Sequence, residues 1–263
     1  MLRTRVQTGL VLAVIVGASI FLLETPLAAA VFGGFWFIGA LEWGRLAGLE
    51  RTLRIVYAIV IGAFYVAVIV VGLPETVLTT GLWFAVLAWL LTFSLMLRFP
   101  RPQPSWPFII IGLAVLPGAW LAFYALHAVT PGLVLAGLVI VWSADTGAYF
   151  TGRSIGRIPL APRVSPKKTW EGVVGGVIAA AITGVIAAAL LDLPMLSLLL
   201  LAAVTALISV GGDLSISMLK RRVGVKDSGM LLPGHGGVLD RFDGVTAALP
   251  FFALGLQFAH VLD

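Results

Sequence analysis

Long apolar stretches separated by short polar segments make up almost the whole 263-residue chain. A bilayer core about 30 Å thick is crossed by a helix of about 20 apolar residues, and about nine stretches are long enough to do so. These predicted spans cover roughly residues 6–23, 26–47, 53–73, 76–97, 106–127, 131–150, 172–191, 194–216 and 244–262. Proline-containing turns mark several of the boundaries. The pattern therefore predicts an all-α, polytopic integral membrane protein with about nine transmembrane helices.

The composition agrees with this prediction and leaves little room for a separate soluble domain. Hydrophobic residues make up 60% of the chain and charged residues 11%, with a mean hydropathy of +1.08, whereas a soluble domain carries roughly 25% charged residues. Only two connections are long and basic, at residues 151–171 and 217–243. We therefore expect residues 1–130 to form a scaffold of about five spans. Residues 131–263 would form the catalytic region with both basic loops.

The distribution of charge predicts the orientation of the chain. There are 17 Lys and Arg against 12 Asp and Glu, which gives a formal net charge of +5. If nine spans are threaded from an inside N-terminus, every Lys and Arg falls on the same side of the membrane. Cytoplasmic loops carry the Lys and Arg excess, so we expect a cytoplasmic N-terminus and an outside C-terminus. This one-sided pattern argues against nucleic acid as a partner. Orientation and attraction to anionic lipid headgroups explain the basic residues from Arg3 to Arg101.

Asp145 and Asp213 lie within predicted spans, where a charge is costly and is a functional candidate by default. Glu42 lies near the inner end of the second span, where pairing with Arg45 and reaching the headgroups are both open. Asp145 follows an apolar run and would share a helical face with Tyr149. The alternative for Asp145 is a simple cap at the end of a span. Asp213 lies deeper, and helical geometry places Ser217 and Lys220 on its face. An acid at that depth needs a partner or a metal ion.

The segment SPKKTWEGVVGG, which begins at Ser165, leads into the seventh predicted span. Lys167 and Lys168 come just before this helix begins. A helix N-terminus with exposed amides and two nearby ammonium groups is suited to phosphate. Anchoring by positive charge alone is the alternative, but it would not require the adjacent Ser-Pro turn.

The segment VKDSGMLLPGHGGVLDRFDG combines a glycine-rich turn with acidic residues. Pro233 to Gly237 form a tight turn with exposed amides, and His235 lies within it. Asp240 and Asp243 are three residues apart and would share a helical face. Carboxylate oxygens suit Mg²⁺, which usually takes one or two carboxylates together with substrate phosphates and water. Helix capping is the alternative role for the two aspartates.

At these residues the chain resembles the bacterial phosphatidate cytidylyltransferases, also called CDP-diacylglycerol synthases. The family signature is met, over a stretch without gaps, by Ser217, Lys220, Arg221, Lys226, Asp227, Pro233 to Gly237, Asp240, Arg241 and Asp243. The upstream segments DTGAYFTGR and SPKKTWEG are also similar, so the resemblance covers most of residues 143–244. The N-terminal spans match only in character and number. One departure is Gly244, where a small polar residue such as Ser is expected.

The resemblance implies that the phosphate of phosphatidic acid attacks the α-phosphorus of CTP, giving CDP-diacylglycerol and pyrophosphate in phospholipid biosynthesis. It also implies Mg²⁺, a second cation such as K⁺, a homodimer, and an active site on the cytoplasmic face of the bacterial inner membrane. Our hypothesis is that Mg²⁺ is held by Asp213 and Asp240, with Asp243 in support. The phosphates would be neutralised by Lys220, Arg221, Lys226 and Arg241. One phosphate group would be positioned by the PGHGG amides, His235, Lys167 and Lys168. The expected substrate-binding residues also include Ser165, Asp145 and Asp227. The residues expected to act in catalysis are Asp213, Asp240, Lys220 and Lys167.

Two other function classes remain open at this point. The first is another membrane enzyme that uses CTP or a CDP-lipid, such as a polyprenol kinase or a CDP-alcohol phosphatidyltransferase, although the DGxxAR pattern of the latter is missing. The second is a transporter for an anionic solute. Transporters tend to carry inverted repeats with broken helices in both halves, whereas the polar chemistry here lies after Asp145.

Overall fold

The structure is a computed structural model that describes residues 2–230 and 236–259, with side chains from Gly9 onward. Nine α-helices and two short β-strands occur within these residues. Their bounds are α1 (Leu2–Leu22), α2 (Thr25–Leu46), α3 (Arg51–Val71), α4 (Glu75–Leu97), α5 (Trp106–Val129), α6 (Pro131–Ile155), β1 (Pro159–Ala161), β2 (Ser165–Thr169), α7 (Trp170–Leu191), α8 (Met195–Arg222) and α9 (Leu239–Phe258).

The helices agree closely with the predicted spans, and the all-α, polytopic prediction is confirmed. Within the described residues, the seven helices from α2 to α8 are long and apolar enough to cross a membrane. Helix α1 has a shorter apolar part, Gly9–Leu22, and α9 carries three charged residues near its start. The count of nine membrane spans and the orientation of the termini therefore stay predictions.

The first basic loop contains a β-hairpin that the apolar pattern did not predict. Strands β1 and β2 are antiparallel, with Pro159 opposite Thr169 and Ala161 opposite Ser165. The prolines of this segment disfavour a helix, and the Val164 amide closes the turn by donating to the Ala161 carbonyl at 3.0 Å. The hairpin leads directly into α7, because Thr169 is the N-cap and accepts from the Gly172 amide.

Helices α6, α7, α8 and α9 pack in sequence, each against the next. Small residues at the contacts allow the close approach that is common between membrane helices. A side chain at Gly176 would collide with the Ala144 carbonyl of α6, and one at Gly212 would collide with Ala247 and the Asp243 carbonyl of α9. The second contact brings the polar part of α8 against the beginning of α9.

Helix α9 also joins the two halves of the chain. It packs against α4 and α5 as well as α8, and the Trp89 indole of α4 donates to the Thr246 carbonyl at 3.2 Å. Stacked rings of Phe32 and Phe123 lie in the core between α2 and α5. The two halves thus share one hydrophobic core. Their predicted division into scaffold and catalytic regions stays a prediction.

Candidate active site

A cavity of about 590 Å³ with several charged residues in its lining lies among α6, the hairpin, α7 and α8. Its charged lining residues are Asp145, Arg153, Lys167, Lys168 and Asp213. The two lysines come from β2, whereas the acids come from α6 and α8. Four of these five residues are sequence candidates from segments far apart along the chain. Arg153 is an addition, although it lies in the DTGAYFTGR segment, and its guanidinium donates to the Tyr149 hydroxyl at 2.7 Å.

The hairpin and α8 meet in this cavity through an ion pair. The Lys168 ammonium lies 2.5 Å from an Asp213 carboxylate oxygen, and the two side chains are 26% and 29% exposed. The other Asp213 oxygen accepts a hydrogen bond from the Ser217 hydroxyl at 3.2 Å. Asp213, which lies within a predicted span, thus has a cation as its partner, and water still reaches part of both side chains.

Three aspartates from three helices lie within electrostatic range of one another beside this ion pair. Asp145, Asp213 and Asp243 are near enough to repel one another, and Lys168 attracts both Asp145 and Asp243. The Asp243 carboxylate also accepts from the Gly244 amide at 2.8 Å. This excess of negative charge makes the site suitable for a further cation.

The donor set fits Mg²⁺ if the substrate completes its coordination. Over residues 2–230 and 236–259, no three Asp, Glu or His side chains converge closely enough to hold a metal ion by themselves. Mg²⁺ does not require such a cage, because it commonly binds one or two carboxylates and takes its other ligands from phosphates and water. Asp213 and Asp243 can supply the carboxylates from the facing helices α8 and α9.

Asp240 occupies a different environment, at the start of α9. One carboxylate oxygen lies 2.7 Å from the Lys220 ammonium, and the two side chains are 6% and 14% exposed. The other oxygen accepts from the amides of Ser228 and Gly237 at 2.8 and 2.9 Å. In the structure Asp240 therefore fixes Lys220, Ser228 and Gly237. Its role as a metal ligand stays a prediction.

Glu42 on α2 contributes to the same region, although the sequence alone left it between pairing with Arg45 and reaching the headgroups. It is 7% exposed, and its carboxylate accepts from the amides of Val238 and Leu239 at 3.0 and 2.8 Å. The Ser228 hydroxyl donates to it at 2.8 Å. Because Val238 at the N-cap gives no side-chain cap, Glu42 takes the place of a cap for α9.

Glu42 and Asp240 together hold both ends of the segment 229–237. Each carboxylate contacts Ser228 on one side and at least one amide among residues 237–239 on the other. A side chain at Gly237 would collide with both Glu42 and Ser228. The position of Glu42 within an apolar span was the sequence signal that marked it as a candidate. Its partners could not be predicted in the same way, because they are almost 200 residues away.

None of the other predicted residues that the structure describes lines this cavity, and this includes Lys220, Asp240 and Asp243. Three of them are exposed: Lys226 and Asp227, which follow α8, and Arg241 in α9. Ser165 lies in β2, where it pairs with Ala161 rather than lining the cavity. His235, like Pro233 and Gly234, lies outside the described residues.

Arg221 faces a different cavity, of about 490 Å³, whose lining it shares with Arg101 and Arg222. Successive side chains on a helix point about 100° apart. Arg221 follows Lys220 directly, so it does not share the face of Asp213, Ser217 and Lys220. Arg222 has a structural role: it donates to the Ser105 hydroxyl at 2.7 Å and fixes the end of α8 to the α4–α5 connection.

The chain is similar over nearly its whole length to known proteins. The sequence profile of the cytidylyltransferase family matches residues 3–259. A phosphatidate cytidylyltransferase from Pseudomonas aeruginosa is 43% identical over 263 residues, which cover 96% of each chain. A phosphatidate cytidylyltransferase from Haemophilus influenzae is 35% identical over 286 residues, covering 96% of this chain and 98% of the relative. The resemblance carried by the motifs is thus confirmed, and the chain belongs to the cytidylyltransferase family.

Proposed function

We propose that the protein is a nucleotidyltransferase that transfers the cytidylyl group of CTP to phosphatidic acid, giving CDP-diacylglycerol and pyrophosphate. The observation that carries this proposal is the cavity in which Lys167 and Lys168 meet the carboxylates of α6 and α8. Relatives that match nearly the whole chain support the same reaction and the same lipid substrate.

The reaction requires charge neutralisation and positioning rather than a protein nucleophile. A phosphate oxygen of phosphatidic acid forms a bond to the α-phosphorus of CTP, while the bond from that phosphorus to the bridging oxygen breaks. Pyrophosphate leaves with the electron pair. Because two polyanions must approach each other, cations have to neutralise the phosphates and the charge on the leaving group. Lys167, Lys168 and Arg153 line the cavity and are suited to this task.

We further propose that Mg²⁺ binds at the aspartate cluster, held by Asp213 and Asp243 with Asp240 nearby at the start of α9. When bound, the ion would neutralise triphosphate oxygens and orient them. K⁺ as a second cation rests on the family resemblance. Asp213 already binds a cationic group in the structure, the Lys168 ammonium. With the aspartates engaged by Mg²⁺, Lys168 would bind phosphate oxygens instead.

The setting follows from the two substrates. The acyl chains of phosphatidic acid stay in the bilayer while CTP arrives from water, so the cavity must be reached from both. We propose the inner membrane of a bacterium as the location, with the cavity on the cytoplasmic side, where the Lys and Arg excess predicts the basic loops to lie. A homodimer is also proposed, on the family resemblance alone.

Labelled CTP tests this function directly. Purified protein in detergent is incubated with phosphatidic acid, Mg²⁺ and CTP labelled at either the α- or the γ-phosphorus. We expect the α-label in the lipid extract and the γ-label in pyrophosphate, both only when phosphatidic acid is present. Transfer of the γ-label to lipid would instead identify a lipid kinase. With the protein reconstituted into lipid vesicles, uptake of intact CTP without any product would identify a transporter. Either result would refute the proposal.

A further inference from the structure

A second basic cavity lies away from the aspartate cluster, in the groove between the inner end of α4 and the start of α5. It has a volume of about 700 Å³. The side chains deeper along the helices are apolar and include Leu91, Leu95 and Ile110. The end formed by the α4–α5 connection carries two arginines, Arg98 and Arg101. The groove is therefore apolar at membrane depth and cationic at its mouth.

The arginines of the mouth are available to a ligand. Both side chains are exposed, and within the described part of the chain neither takes part in a salt bridge. Arg101 also lines the adjoining 490 Å³ cavity with Arg221, so positive charge continues from the groove to the end of α8. Arg221 is one of the family-motif residues that do not line the cavity of about 590 Å³.

Trp106 adds an amphipathic side chain at the same level. It lines the groove, is 63% exposed and begins α5. Tryptophan is favoured at the boundary between hydrocarbon and headgroups. The order of apolar wall, indole and guanidinium groups along the groove matches the order of acyl chain, glycerol and phosphate in a phospholipid.

We propose that this groove binds one anionic phospholipid of the adjacent leaflet, at a site separate from the cavity of about 590 Å³ that Asp145 and Asp213 line. The headgroup phosphate pairs with Arg98 and Arg101, and an acyl chain lies between α4 and α5. Charge complementarity selects an anionic over a zwitterionic lipid, since no carboxylate lines the groove to accept a choline or ethanolamine cation. Orientation of the chain explains a positive charge on this side, but it does not require a cavity between the arginines.

Quenching of Trp106 by brominated lipids tests the site. Protein in neutral detergent is titrated with brominated phosphatidylglycerol or phosphatidylcholine, and the Trp106 signal is obtained by subtracting the same titration of Trp106→Phe. We expect brominated phosphatidylglycerol to quench Trp106 at lower concentrations than brominated phosphatidylcholine does. In Arg98→Gln/Arg101→Gln the concentration of phosphatidylglycerol that gives half of the quenching should rise roughly 30-fold, because each basic residue near anionic headgroups contributes about fivefold in affinity.

The control has the same change in charge elsewhere on the basic side. Arg45→Gln/Arg51→Gln removes two exposed arginines that do not line the groove, and it should keep the preference for phosphatidylglycerol. The proposal fails if both double variants lose the preference equally, since the attraction would then be general. It also fails if glycerol phosphate alone prevents the quenching, which would indicate a site for a soluble phosphate. The proposal fails as well if Arg98→Gln/Arg101→Gln loses a dimer while the quenching stays unchanged. The groove would then be a contact between two copies of the chain.

Discussion

Replacing Asp213 by asparagine is expected to lower cytidylyl transfer by roughly 10²- to 10³-fold, the range seen when one group that stabilises transition-state charge is removed. Asp213 is the point at which the hairpin and α8 meet, through Lys168 at 2.5 Å, and it lies beside Asp145 and Asp243. The neutral amide keeps the shape of the side chain but weakens the attraction for both a divalent ion and the Lys168 ammonium.

The fold should survive this substitution. The Lys168 and Asp213 side chains are 26% and 29% exposed, and water compensates the loss of a partly exposed pair, which costs about 1 kcal/mol or less. A matched control is Asp192→Asn, which removes one charge at an exposed position with φ of 55°, a conformation that asparagine tolerates well. Turnover within about threefold of wild type in Asp213→Asn, measured by the α-label assay, would contradict the role of the aspartate cluster.

Asp240→Asn is expected to reduce both stability and turnover. The Asp240 and Lys220 side chains are only 6% and 14% exposed, and removing one partner of a buried pair costs roughly 3–5 kcal/mol because the other charge is left uncompensated. The asparagine amide would also face one of the donors that now bind Asp240, namely Lys220 or the amides of Ser228 and Gly237. Thermal unfolding in detergent measures the first effect and the α-label assay the second.

The double variant Asp240→Asn/Lys220→Met separates the two effects. It removes both charges, so most of the lost stability should return, whereas turnover should stay at least about 10²-fold below wild type if Lys220 neutralises phosphate. Recovery of turnover together with stability would show that the pair has only a structural role. An unfolding temperature for Asp240→Asn equal to that of wild type would contradict the buried-pair description and would favour Asp240 as a direct metal ligand.

The sequence predicted the helices and much of the cavity for the same physical reason. Charged residues are costly within apolar spans, so Asp145 and Asp213 had few roles other than functional ones. Helical periodicity placed Ser217 on the face of Asp213, and the structure has a hydrogen bond between them. The lysines preceding α7 line the cavity because the hairpin lies against α8 at Asp213.

Other features of the site depend on contacts between distant segments, which no local sequence pattern predicts. Glu42 belongs to α2, yet its carboxylate binds the amides of Val238 and Leu239 at the start of α9. Only the packing of distant helices produces that contact. Arg221 lies in the family motif beside Lys220, but its place on the next face of α8 directs it to the cavity of Arg101. A short, proline-rich hairpin likewise leaves little signal beside long apolar helices.

The most direct test of the account is the position of bound CTP in an experimental structure of the protein with CTP and Mn²⁺ in place of Mg²⁺. We expect the triphosphate in the cavity of about 590 Å³, with oxygens within hydrogen-bonding distance of Lys167 and Lys168. Mn²⁺ should lie on Asp213 and at least one of Asp240 and Asp243. A triphosphate bound outside this cavity, with Lys168 still paired to Asp213, would contradict it.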